Sequence, residues 1–295
     1  MSQRYLQLQA QRRSVTQLRG VIGAMQGMAA SRLQQCKAQL DSVQRYADTI
    51  AAAIAQTLAL TPAEAREDPL HDRDESAPDA IKLMLCAEQG FAGAFSENIW
   101  HAAALDARRH RLMLVGSRGI RLARAQGWTP DWTEAMVAQL DHVGAAAERI
   151  GVALALLMHK TQIRHVDIVF ASTAPDGRPD AATADYRIRH ESLLPFDAAP
   201  FRPARNGAAL PPLLNLPARQ LLDSLASEHL FAQLSAALVQ HYAAENAARL
   251  QTLAAAREHI DTQMEALTKA ERMARQEDIT AEIIELAAGA QLRKP

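Results

Sequence analysis

The stretch "LRGVIGAMQGMAASRLQQCKAQLDSVQRYADTIAAAIAQTL", residues 18–58, decides the fold. Its apolar or small side chains recur at Leu18, Ile22, Met25, Ala29, Leu33, Cys36, Leu40, Val43, Ala47, Ile50, Ile54 and Leu58. The steps alternate mainly between four and three, which is the narrow seam of a coiled coil and not the broad stripe of a globular helix. No proline precedes Pro62, so the pattern predicts one helix from about residue 3 to 58, roughly 80 Å long at 1.5 Å per residue. Gly20, Gly23 and Gly27 weaken it locally, each by up to about 1 kcal/mol relative to alanine, and leave room for another backbone. Such a helix is too long to be packed inside its own domain.

A second long helix is predicted from Pro217, a residue at home in a first helical turn. It meets no proline until Pro295 and could reach about 110 Å. Two long helices flanking one compact insertion pair naturally as antiparallel neighbours. If Leu58 lies opposite about Ala218, Met1 lies opposite about Arg275, and roughly the last 20 residues extend without a partner. Those residues, "EDITAEIIELAAGAQLRKP", still carry Ile279, Ile283, Leu286 and Ala290 at helical spacing. An apolar stripe on an unpartnered tip needs a foreign surface to cover it.

The texture between the helices is different. "TPAEAREDPLHDRDESAPDA" is acidic, punctuated by proline and without periodicity, and reads as a loop. "IKLMLCA", "RLMLVGS" and "HVDIVFAS" are apolar runs of strand length, separated by helical stretches near residues 94–109, 117–126 and 132–159. Strands alternating with helices predict a parallel sheet in an α/β domain. "ESLLPF" offers a possible further strand. The expected organisation is an N-terminal coiled-coil helix (1–60), an acidic loop (61–79), an α/β domain (80–200), a Pro-rich connection (201–217) and a C-terminal coiled-coil helix (218–295). The fold class is therefore α/β plus a long antiparallel α-helical coiled coil, with a Rossmann-like domain inserted between paired terminal helices.

Composition narrows the function. The 32 basic and 33 acidic side chains nearly cancel, so no overall field draws the chain to nucleic acid or anionic lipid. Only 4% of residues are aromatic, and much of the apolar count is alanine, which suits slender helices better than one broad core. No apolar run approaches the roughly 20 residues of a membrane span. The N-terminus lacks the apolar core of a secretory signal, although it contains arginine and no acid. Cys36 and Cys86 lie far apart and form no metal-ligand pattern, which fits a cytosolic chain with reduced thiols.

Several motifs together resemble the gamma subunit of F-type ATP synthases. "ITAEIIELAAGA" is similar to the family's terminal signature, here Ile279, Thr280, Glu282, Glu285, Gly289 and Ala290, preceded by "ARQEDIT". "AAENAARLQTLAAA" resembles the family's "ASExxARMxAMxxA", with Glu245 and Arg249 in place. "AMQGMAASRL" is similar to "AMEMVAASKM", "EQGFAGAFSENI" to "DRGLCGxxNxxI" and "VGSRG" to "IGxKG". The matches run in order over nearly the whole chain. There are departures: "RGVIGAM" replaces "QKITKAM", Ala92 replaces a cysteine, Arg272 falls where asparagine is common, and Leu292 sits where a small or basic residue is expected. They suggest a divergent or paralogous bacterial form, such as the second, cation-coupled synthase some bacteria carry.

The resemblance implies a central rotor shaft that carries torque between an ion-driven membrane ring and a catalytic head, without active sites of its own. Implied partners are the alpha- and beta-type head subunits, the epsilon subunit and the c-type ring. The implied location is peripheral, on the cytoplasmic face of the bacterial inner membrane, with no direct membrane insertion, no nucleic acid and no cofactor. It also implies head contacts at Arg275, Gln276, Thr280 and Glu282, and at Met25 and Arg32, although Met25 also reads as a seam residue and Arg32 as solvated. Arginine offers a fork of donors suited to carboxylates, while Gln and Thr both donate and accept.

Gly90, Gly93, Gly116 and Gly119 follow strands and could cradle a phosphate, but neither motif is GxGxxG, and tight structural turns are the better reading. Arg118, Arg121 and Arg124 share one helical face, more plausibly solvated or protein-contacting than phosphate-binding. The ten histidines show no ligand spacing, and no catalytic set emerges. Two competing functions remain: a nucleotide-binding α/β enzyme with a coiled-coil dimerisation arm, and a coiled-coil scaffold.

Overall fold

The computed structural model describes residues 3–60, 80–173, 186–195 and 214–291, with side chains described as far as residue 287. The acidic loop expected at 61–79 and most of the Pro-rich connection lie outside the described residues. Two helices carry the ends of the chain, α1 (Gln3–Leu60) and α5 (Ala218–Gln291). The chain divides into two compact units, one of Met1–Ala30 with Leu250–Pro295, the other of Ser31–Arg249.

In the first unit the helices run antiparallel. Arg4 meets Glu277 at 3.4 Å, Arg12 meets Glu271 at 3.0 Å and Arg19 meets Asp261 at 2.6 Å. Arg257 donates to Gln26 Oε1 at 3.3 Å. These are largely exposed pairs, each contributing about 0–1 kcal/mol, so they fix register more than stability. Ile22, Leu253 and Ile260 form the buried seam, with Val15, Met25, Ala256 and Met264 against it.

Two details differ from the sequence reading. With Arg4 facing Glu277, α1 reaches further along its partner than a Met1–Arg275 register would allow. Leu18, expected in the seam, is half exposed. The buried positions Ile22, Ala29 and Cys36 recur every seven residues, and Val15, one repeat earlier, holds the seam in its place.

The second unit is built on a five-stranded sheet. Its strands are β1 (Ala80–Leu85), β2 (His110–Val115), β3 (Trp132–Glu134), β4 (Val166–Thr173) and β5 (Tyr186–Leu194), in the order β3-β2-β1-β4-β5. The first four are parallel neighbours. Central β1, β2 and β4 are apolar on both faces, as a strand covered on both sides requires.

The sheet is not wholly parallel as expected, because β5 pairs antiparallel with β4, Thr173 facing Tyr186. Half-buried Tyr186 and Ile188 alternate with exposed Arg187 and Arg189 before the pattern breaks at His190, which suits a charged outer strand that resists edge-to-edge pairing. The helix expected from residue 132 begins only at Val143, since Trp132–Glu134 is spent on β3.

The remaining helices are α2 (Phe95–Ala102), α3 (Ser117–Ala125) and α4 (Val143–Thr161). Phe95 and Ile99 of α2 and Ala123 of α3 pack with Met84, Leu112, Leu114 and Val169 on one face of the sheet. Residues of α4, with Leu234, Leu238 and Tyr242 of α5 and Cys36 of α1, pack with Leu83, Leu85, Met113 and Phe170 on the other. The chain therefore changes face between β3 and β4, and the strand order turns at the β1/β4 junction. In an open α/β sheet that junction, at the carboxyl ends of the strands, is where ligands bind.

Candidate functional site

The β1/β4 crevice is occupied by α5 itself. β1 pairs with β4 from Ile81–Val166 to Met84–Val169, and β4 runs on to Thr173. Beyond the ladder, the Ala171 amide donates to Nδ1 of His241 at 3.3 Å. His241 is fully buried, edge-on to Phe95 with ring centroids 5.2 Å apart. Burial pushes its pKa down to about 3, so the ring stays neutral at physiological pH.

One turn further along α5, Glu245 accepts from the Gln89 amide at 3.4 Å and pairs with Arg249, both side chains almost wholly buried. Arg249 also donates from Nη1 to Asn246 Oδ1 at 3.0 Å and from Nε to the Gly90 carbonyl at 3.2 Å. Burial raises the Glu245 carboxyl above its usual range, and the Arg249 guanidinium and backbone amides oppose that rise.

The anion position at the start of α3 is filled too. The Ser117 amide and the Met136 amide donate to Oε2 of Glu88 at 3.0 and 2.9 Å, and the Ser117 hydroxyl donates to Oε1 at 2.5 Å. Burial alone would raise this carboxyl, but those hydrogen bonds, with Arg121 nearby, hold it below its ordinary value. Glu88 thus takes the donors a phosphate would use at a helix N-terminus.

The turn glycines are confined by the same packing. At Gly116, φ is +103°, and a Cβ would stand 2.1 Å from the Cys86 carbonyl oxygen. A Cβ on Gly119 would meet the Cys86 side chain at 2.6 Å, and one on Gly90 would meet Arg118 Nη2 at 3.0 Å. Gly93 has φ +61°. Beside this turn a cavity of about 260 Å³ is lined by Gln89, Gly93, Glu97, Arg118 and Arg121, and both arginines are exposed. No group of three or more His, Cys, Asp and Glu among the described residues is placed to hold a metal ion.

The other candidate surface is the far end of the first unit. Past the Arg4–Glu277 pair, Ile279, Ile283, Ile284 and Leu286 are 49, 60, 63 and 72% exposed. Ala274 is the last deeply buried residue among the described residues. Arg275, Gln276, Thr280 and Glu282 are all exposed, and the Thr280 hydroxyl donates back to the Gln276 carbonyl at 2.9 Å, leaving its oxygen free to accept. Arg275 and Glu282 line one open groove with Tyr5 and Ile279; Gln276 and Thr280 line another with Met273 and Ile284. The structure thus brings Arg275 with Glu282 and Gln276 with Thr280.

Met25 is packed into the helix seam, and Arg32 is half-buried in the other unit, where its charge is felt by Tyr242. Sequence reasoning assigned no role to Glu88 or His241. It placed Glu245 and Arg249 only by resemblance, although a Glu–Arg pair four apart in the alanine run "AAENAAR" was the available signal.

Comparison with known proteins is consistent along the chain. A family model described as ATP synthase matches residues 5–291. The ATP synthase gamma chain of Pseudarthrobacter chlorophenolicus is 27% identical, over 94% of this chain and 94% of that one. That of Acidithiobacillus ferrooxidans is 25% identical, over 96% and 97%. Among solved structures, a chain of the Tetrahymena thermophila mitochondrial ATP synthase central stalk and ring is similar in fold, with a TM-score of 0.50 at 16% identity, over 80% of this chain and 99% of that one.

Proposed function

We propose a mechanical function whose premise is that the chain belongs to the ATP synthase family, among its gamma chains. It is the central rotor shaft, a non-catalytic subunit that works with alpha- and beta-type head subunits, epsilon and the c-type ring. ATP is turned over on the partners. The shaft transmits rotation by making different contacts with each catalytic site in turn, so that angle shifts the population of site states. The filled crevice supports this over a nucleotide-binding enzyme, since His241, Glu245 and Glu88 stand where a nucleotide would.

The observation that carries the reading is the exposed apolar end of α5 past the Arg4–Glu277 pair, where Ile279, Ile283 and Leu286 form one ridge and Ile284 is exposed beside it. A foreign sleeve must cover such a ridge. Arg275, Gln276, Thr280 and Glu282 rim it and would meet polar groups of the head, with Met25 and Arg32 contributing from α1. Residues 1–60 and 218–295 act as an antiparallel coiled-coil shaft. Residues 80–200 act as a Rossmann-like foot whose glycine turns at Gly90, Gly93, Gly116 and Gly119 serve packing; the strand order at β1/β4 and the close approach to Cys86 support that view.

No helix among the described residues is long and apolar enough to cross a membrane. The chain works within the peripheral part of the complex, and we place it on the cytoplasmic face of the bacterial inner membrane. The test is reconstitution of the head with wild type or with Arg275→Ala plus Gln276→Ala. The variant is expected to lower ATPase rate or coupling; unchanged values in both would remove the tip contact.

A further inference from the structure

A shaft is useful only if its long helix cannot turn against the body that meets the driving ring, and one cluster in the second unit is built for that. Glu245 and Arg249 reach from a single turn of α5 onto the loop after β1, and Asn246 braces Arg249 from the same turn. The Gln89 amide donates to Glu245, the Gly90 carbonyl accepts from Arg249 Nε, and Arg249 Nη1 reaches Asn246 while Nη2 pairs with Glu245. The pair is almost wholly buried, at 5% and 4% side-chain exposure, so water does not substitute for these contacts. Arg249 is also the last residue of its unit; α5 continues from Leu250 as part of the coil unit.

Beyond the large anchors Leu238, His241 and Tyr242, apolar packing resists rotation weakly. The α5 face around this turn is alanine-rich, with Ala243, Ala244, Ala247 and Ala248 buried, and small side chains form shallow ridges. Glu245 and Asn246, on α5 itself, hold the planar guanidinium rigid against the helix, so its Nε bond to the Gly90 carbonyl, beside the Gln89–Glu245 bond, ties α5 to the loop at one angle.

We infer that Glu245, Asn246 and Arg249 form a rotational lock that fixes the angle of α5 against the β1–α2 loop, and that tight coupling of ion transport to ATP turnover depends on it. The inference rests on the shaft function above. These are positioning residues: they touch no nucleotide and no reacting atom. Without the lock, α5 turns partly within its own body under load, and ATP is consumed without the matching rotation at the ring.

The test uses the assembled synthase in sealed vesicles, with ATP hydrolysis and ATP-driven ion uptake measured on the same preparation. Two variants separate locking from folding. Arg249→Lys keeps the charge that neutralises Glu245 but lacks the planar fork that fixes the direction of the Gly90 bond. Glu245→Leu with Arg249→Met removes both charges together, which leaves no buried orphan charge. Assembled complexes of either variant are expected to keep hydrolysing ATP while ions moved per ATP fall by at least about fivefold, the low end of ordinary coupling between sites. Ions per ATP equal to wild type in both variants would overturn the lock. A wild-type complex that hydrolyses ATP but moves no ions would instead count against the shaft function itself.

Discussion

Acid should loosen the second unit through His241 before it affects most carboxylates. The perturbation is a shift from pH 7 to pH 5, with His241→Gln as the comparison, since glutamine can still accept from the Ala171 amide but does not titrate. In the folded chain the ring has a pKa of about 3, whereas in the unfolded chain it returns to about 6.5. Above 6.5 both states are neutral and there is no effect. Between 6.5 and 3 the unfolded chain binds a proton that the folded chain refuses, so stability falls as pH falls. One proton is worth about 1.4 kcal/mol per pH unit, which amounts to about 2 kcal/mol between pH 7 and 5. That is a large share of the roughly 5–15 kcal/mol that holds an ordinary domain together.

The assay is urea unfolding of the isolated chain at both pH values. His110 and His229 are also shifted down by burial, but they titrate alike in both proteins and cancel in the difference. Wild type should lose about 2 kcal/mol more than the glutamine variant. Parallel losses would refute a buried neutral His241.

Four further outcomes follow from the packing. Gly116→Ala places a Cβ against the Cys86 carbonyl at a φ only glycine tolerates and should cost at least about 3 kcal/mol in urea unfolding. Gly23→Ala, whose Cβ would meet no other described residue within 4 Å beyond its own helix turn, should instead gain about 0.5–1 kcal/mol. Glu88→Ala strips the acceptor from the Ser117 and Met136 amides and should cost about 1–3 kcal/mol, while Glu88→Gln, which keeps an acceptor, should cost less. Ile283→Ser with Leu286→Ser should leave the isolated chain within about 0.5 kcal/mol of wild type, because both side chains are exposed, yet weaken its binding to the alpha–beta head.

What could be read from sequence was set by local periodicity. The heptad series through Ile22, Ala29 and Cys36 and the absence of proline specify the helices, and continuous apolar runs specify β1, β2 and β4. β3 is three residues long and carries no period. β5 was missed as an antiparallel partner because its exposed positions are charged and its pairing depends on which edge of the sheet it meets. The exposure of Leu18 depends on what faces it across the pair, which one strand of the pattern cannot say. Glu88 acts through residues 88, 117 and 136, brought together only by the sheet. His241 was opaque for the same reason: nothing nearby in sequence marks it as inserted between two strand ends.

The covered tip can be tested by placing a thiol on it. The native Cys36 and Cys86 are both buried, so in Ile283→Cys a water-soluble maleimide reports the new position. With residue 283 exposed in the free chain, labelling should be fast there and should nearly stop once the alpha- and beta-type subunits assemble around it. Equal labelling of the free and assembled chain would mean that no partner encloses this end, and the rotor-shaft function would fail with it.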